Sequence, residues 1–209
     1  MASIKTLLLD LGGVLLNLDY QATEQAFAKL GFRSFTDYYH QNAQQPFFDR
    51  LEAGKETPEA FRSKIRELSG LALSNDEIDS AWNAMLFDLP ESRIELLLKL
   101  KPHYQLILFS NTNAIHYEAL QLILHQQYQQ DILQQVFDRV FYSHLLGLRK
   151  PQPEAFKKVL ASANANPETT LFIDDTQRHI EGARHCKIQA RLLQNHEDVE
   201  EILTPFLKP

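Results

Sequence analysis

The chain has 209 residues, 44% hydrophobic and 23% charged, which is enough to bury a sizeable core and excludes wholesale disorder. Its net charge of -6 argues against non-specific binding to nucleic acid or to a membrane surface, both of which reward basic patches. The single cysteine, Cys186, leaves no disulfide framework and points to a reducing cytoplasm, and no stretch is apolar for long enough to span a bilayer.

In chain order, Ile4 to Leu9 reads as a buried strand that ends at Asp10-Leu11-Gly12-Gly13. Residues 18–88 then hold helix signals and no convincing strand. Asp19 can cap a helix that runs through Phe27 and Leu30 to Gly31. Thr57-Pro58-Glu59 opens a second helix that stops before Gly70. Ser74 and Glu77 have the spacing of a capping box, in which each side chain satisfies a backbone donor of the other. In Phe47 to Gly54, Phe48 and Leu51 suit packing, whereas Arg50 and Glu52 suit a solvated face. The block reads as a helical insertion lying like a lid over the strand ends.

Beyond it, Glu91 to Leu100 is helical and Leu106 to Phe109 is a strand that ends at Ser110-Asn111. Ala114 to Leu133 has a helical period with a Gln-rich polar face. Val140 to Tyr142 is a third strand, and a helix from Pro153 to Ala161 follows Lys150. Thr170 to Ile173 is a fourth strand, ending at Asp174-Asp175, and Ala190 to Leu193 a weaker fifth. His179 and His185 flank the helix between them and are expected at the surface. Strands with continuous apolar runs, separated by helices, predict an α/β fold built on an open parallel sheet. The expected division is a core of residues 1–17 and 89–209 with residues 18–88 inserted.

Ligands of such sheets bind at the carboxyl ends of the strands. There the chain places Asp10, Ser110 with Asn111, Lys150, and Asp174 with Asp175. Each alone is an ordinary loop or capping residue, but the set is coherent. A phosphate monoester is a dianion, so a carboxylate nucleophile needs its repulsion neutralised. A divalent cation held by Asp10 and one of Asp174 or Asp175 would do so, and oxygen ligands suit magnesium. Lys150 adds a point charge, and Ser110 with amides near Asn111 offers donors to phosphoryl oxygens. Asp10 would then carry an aspartyl phosphate. Tyr20 and Arg50 are the candidate substrate contacts from the insertion.

The segments LLLDLGGVL (Leu7 to Leu15), LFSNTN (Leu108 to Asn113), RKPQPEAF (Arg149 to Phe156) and LFIDD (Leu171 to Asp175) resemble, in order and spacing, the haloacid dehalogenase-like hydrolase superfamily. The resemblance implies a Rossmann-like core with an α-helical cap. It implies that Asp10 is the nucleophile, Gly12 a magnesium ligand through its carbonyl, Ser110 the phosphate binder and Lys150 the charge stabiliser. It makes Asp175 the direct metal ligand and Asp174 a supporting or water-mediated one. Most phosphatases of the superfamily carry a general acid/base aspartate where this chain has Gly12, a group worth about 10²- to 10⁴-fold. A branch similar to bacterial glucose-1-phosphatases also has glycine there, which points to a small sugar phosphate as substrate. A phosphometabolite-binding protein without activity, a 2-haloacid dehalogenase and a phosphomutase are the ranked alternatives. Dehalogenases of this type lack the metal-binding acid pair.

Overall fold

The computed structural model describes residues 3–40, 43–194 and 196–207. Strand β1 (Thr6–Leu9) is wholly buried, and its alternating residues serve two cores. Leu7 and Leu9 belong to one apolar cluster and Leu8 to the other, as the pleat of a strand covered on both faces requires.

Helix α1 (Tyr20–Lys29) follows, with the Asp19 carboxylate accepting from the N–H groups of Gln21 and Ala22. A short antiparallel pair, β2 (Tyr39–His40) and β3 (Ala43–Gln44), adds strand where the sequence suggested none. Three helices come next: α2 (Pro46–Glu52), α3 (Pro58–Ser69) and α4 (Asn75–Asn83). Gly70 takes the left-handed conformation that ends α3, and Ser74 and Glu77 make the reciprocal capping box of α4. These helices share an aromatic cluster of their own, in which Phe27, Phe35, Phe48, Phe61 and Trp82 are almost fully buried.

Helix α5 (Glu91–Leu100) leads to β4 (Gln105–Ser110). The Gln-rich stretch is two helices rather than one. Helix α6 (Ala114–Tyr128) stops where Gln129 adopts a left-handed conformation, and Asp131 caps the short α7 (Ile132–Val136). Strand β5 (Arg139–Tyr142), α8 (Ser143–Leu146) and α9 (Pro153–Ser162) follow, then β6 (Thr170–Asp174), α10 (Gln177–His185), β7 (Gln189–Leu192) and α11 (Val199–Leu203).

The five long-range strands form one parallel sheet in the order β5-β4-β1-β6-β7, the α/β architecture the sequence predicted. Leu9 of the central strand stands level with Leu108 and Ile173, so β1, β4 and β6 deliver their last residues to one edge. The chain leaves and rejoins the sheet through two paired segments. Asn17 N–H donates to the Asp88 carbonyl (2.9 Å), Phe87 N–H to Asn17 (3.1 Å) and Asp19 N–H to Met85 (3.0 Å). Among the described residues no helix is long and apolar enough to cross a membrane.

Candidate active site

At the edge shared by β1, β4 and β6, a buried ammonium lies between two carboxylates. Lys150 Nζ is 2.7 Å from Asp10 Oδ1 and 2.7 Å from Asp174 Oδ2, and its side chain is fully buried. Nζ also lies over the rings of Phe109 and Phe172, 5.4 and 5.5 Å from their centroids. Burial pulls the lysine down, but Asp10 and Asp174 outweigh it and hold the ammonium above its usual range.

The backbone of Lys150 is held as firmly as its head. Asn111 Nδ2 donates to the Lys150 carbonyl (3.0 Å), and Lys150 N–H donates to Asn111 Oδ1 (2.9 Å). Asn111 lines the cleft, yet its amide is engaged with the lysine loop. Ser110 is buried at the end of β4, with its hydroxyl donating to the Asn111 carbonyl at 3.4 Å.

The two acids at the end of β6 sit in different environments. Asp174 Oδ2 takes the lysine, and Asp174 Oδ1 accepts from Thr176 N–H (2.8 Å) and from His179 Nδ1 (3.0 Å). Burial raises its carboxyl, but Lys150 and His179 overcome this and hold it well below the usual range. Asp175 is raised to about 6, first by burial and then by Asp174. Its Oδ2 lies over Gly13, where a Cβ would stand 2.3 Å away; Gly13 has φ +75°, so glycine is needed twice over. Asp10 is pushed well above its usual value by burial, with Asp174 and Asp175 adding to the effect and Lys150 opposing it.

Asp10 and Asp174 share the one ammonium with Asp175 close by, so carboxylates outnumber the cation in this cluster, an excess that a divalent cation would offset. Ligand atoms of Asp10, Asp174 and His179 lie within 4.8 Å of one another. The oxygens of Asp174 are nevertheless already taken up by Lys150, Thr176 and His179, and an imidazole is a poor partner for a hard cation. Asp10 with Asp175 is the oxygen set better suited to magnesium.

Above these groups is a polar cavity of about 80 Å³ lined by Asp10, Gly12, Tyr20, Tyr39, Glu52, Asn111, Arg149, Asp175, Arg178 and His179. A second cavity of similar volume and mixed polar and apolar lining shares Gly12, Leu18, Tyr20, Tyr39, Glu52 and Asn111 with it and is walled by Leu16, Met85, Leu86, Ser110 and His116. Burial, Asp175 and Asp10 hold the Tyr20 phenol protonated. Burial does the same to Tyr39, with smaller contributions from Tyr20 and Glu52.

Tyr20 thus reaches the cleft and Arg50 does not. The Arg50 guanidinium pairs with Glu56 Oε1 at 2.7 Å, and its side chain is half exposed. Two further expectations need correction. Glu52 is not a solvated residue, because its Oε2 accepts from Arg149 Nε (2.8 Å) and lies 2.7 Å from Arg149 Nη2. His179 is buried rather than superficial, since the first turn of α10 folds its ring back onto Asp174. Arg149 also reaches Asp49 Oδ1 (2.7 Å), joining the lysine loop to α2. Asp49 and Glu52, three apart on one helix face, together receive this guanidinium. Nothing local in the sequence marks Tyr39 or Arg178.

A family model described as a haloacid dehalogenase-like hydrolase matches residues 4–187. The chain is 29% identical to a D-ribitol-5-phosphate phosphatase of Bacteroides thetaiotaomicron, over 98% of each chain. It is similar to the crystal structure of a HAD family enzyme from the same organism in complex with magnesium and inorganic phosphate: TM-score 0.82, 35% identity, 96% of this chain and 99% of that one. A HAD-like hydrolase structure from Porphyromonas gingivalis aligns over 100% of both chains at 26% identity, with a TM-score of 0.85.

Proposed function

The chain belongs to the haloacid dehalogenase-like hydrolase family, and from that premise we propose that it is a magnesium-dependent phosphatase of a small phosphorylated metabolite. The observation that carries this reading is the cluster at the sheet edge: the carboxylates of Asp10, Asp174 and Asp175 gathered about the buried ammonium of Lys150. Similarity to a D-ribitol-5-phosphate phosphatase and to a structure holding magnesium and phosphate supports the same chemistry here. A cleft of two cavities of about 80 Å³ each suits a compact sugar or polyol phosphate and not a polymer.

In this reading Asp10, Asp175 and the Gly12 carbonyl hold the cation, which when bound offsets phosphate charge and polarises the phosphoryl group. Lys150 and Asn111 act as a unit, the amide fixing the loop and the ammonium meeting phosphoryl oxygens. The Asp10 carboxylate forms its bond to phosphorus as the ester P–O bond breaks, and the leaving oxygen takes a proton from water. A second water then attacks phosphorus and releases phosphate and free Asp10. Asp174 keeps Lys150 charged and in place, and His179 Nδ1–H orients Asp174.

We read residues 18–88 as a cap over a core of residues 1–17 and 89–209. The separate aromatic cluster and the paired crossings at Asn17 and Asp88 support that division. A cytoplasmic location fits the lone cysteine. The test is phosphate release from a panel of sugar and polyol phosphates, with and without magnesium, in wild type and Asp10→Asn. Magnesium-dependent release that the substitution abolishes is expected. Release that survives Asp10→Asn, or none from any substrate, overturns the reading.

A further inference from the structure

The cations around the cleft are not equivalent. Lys150 is shared by Asp10 and Asp174, and Arg149 is taken up by Asp49 and Glu52. Arg178 lines the same polar cavity and makes no ion pair among the described residues, and its Nε is buried without a hydrogen-bond partner. A guanidinium placed this way keeps a planar set of donors for an incoming ligand. A buried donor left without a partner is costly, so a ligand that meets it gains selectivity.

The remaining walls narrow the ligand chemistry. Tyr39, whose phenol lies within the field of Arg178, and Tyr20 are neutral hydroxyls that both donate and accept. Glu52 supplies carboxylate oxygens. A second anionic group on the substrate would lie among Asp10, Asp175 and Glu52, where repulsion opposes it. Neutral hydroxyls suit a wall that mixes donors with acceptors.

We propose that Arg178 is a specificity residue that reads neighbouring hydroxyls of the leaving group, with Glu52 and Tyr39 completing a polyol subsite. The proposal rests on the phosphatase reading and assigns its substrate class to named residues. Arg178 N–H groups donate to two adjacent hydroxyl oxygens, and those hydroxyls donate to Glu52 and the phenols. Selection then acts on the alcohol, apart from the phosphoryl group over Asp10.

The experiment compares kcat/KM for a pentitol phosphate and for pentyl phosphate, which has the same carbon count and no hydroxyls, in wild type, Arg178→Met and Arg178→Lys. Wild type is expected to prefer the pentitol ester. In Arg178→Met the loss on the pentitol ester should exceed the loss on pentyl phosphate by about tenfold to a hundredfold, chiefly through KM. Arg178→Lys, which keeps charge and fold but not the planar fork, should lose an intermediate amount of that preference. Equal losses on both esters would place Arg178 at the phosphoryl group and overturn the proposal. A larger loss on a carboxylate-bearing phosphate of similar size would make it an anion site and also overturn it. Failure of the phosphatase reading is separately visible, because wild type would then show no magnesium-dependent, Asp10-dependent release from either ester.

Discussion

Arg149 and Glu52 make a two-donor contact across the cleft: Nε and Nη2 of the guanidinium lie 2.8 and 2.7 Å from the same carboxylate oxygen. The arginine precedes Lys150 in sequence, so the contact ties the loop bearing the buried ammonium to helix α2. Arg149→Met leaves Glu52 without its cation in a largely buried position. The expected cost is about 2–4 kcal/mol, below the full penalty for a buried pair because Asp49 is partly solvated. Denaturant unfolding measures it. Arg149→Lys should recover less than half, since a single ammonium cannot reproduce the fork.

Gly13→Ala tests the seat of Asp175. The added methyl would stand 2.3 Å from Asp175 Oδ2 on a backbone with φ +75°, so the carboxylate must move. Magnesium affinity, read by calorimetry or by the magnesium dependence of turnover, should fall at least tenfold, while the fold survives by circular dichroism. Unchanged affinity would exclude Asp175 as a ligand.

Gly12 tests the missing acid/base. A side chain there meets Leu18 Cδ1 at 2.7 Å, the tip of a flexible residue that can be cut back. Gly12→Asp combined with Leu18→Ala should raise kcat on alkyl phosphates by about tenfold or more, because a poor leaving group needs a proton. On p-nitrophenyl phosphate, whose leaving group needs none, the gain should be small. Equal gains would assign the effect to cleft shape instead.

His116 sets a pH dependence of stability. Its ring stacks on Trp82, Nδ1 accepts from Asn113 Nδ2, and Nε2–H donates to the Trp82 carbonyl. Burial lowers its pKa to about 4 from an ordinary 6.5. The unfolded chain therefore takes up this proton first. The contribution is complete above pH 6.5 and is lost as pH falls towards 4. Between pH 7 and 4.5 the wild type should lose about 2–3 kcal/mol more than His116→Gln. Paired denaturation curves at the two pH values measure the difference.

The middle of the sheet was legible because β1, β4 and β6 are short apolar runs that end in polar residues. Asp10 and Asp174 stand at the ends of the neighbouring strands β1 and β6, and Lys150, from the loop after α8, reaches both of them. The break in the Gln-rich helix was hidden because Gln129 has no glycine-like signature for its left-handed turn. Contacts between distant segments were hidden for another reason. Glu52 reads as solvated until Arg149, 97 positions away, is folded against it. His179 reads as a surface residue until its helix is packed on β6. Arg50, in the same aromatic segment as Glu52, turns outward to Glu56, a choice of helix face that spacing alone did not reveal.

The covalent step at Asp10 is tested most directly by rapid acid quench of a single turnover with a substrate labelled in its phosphate. Magnesium-dependent label is expected on the peptide bearing Asp10, formed before free phosphate appears and absent from Asp10→Asn. Full release of phosphate from wild type while the protein stays unlabelled at every quench time would contradict it.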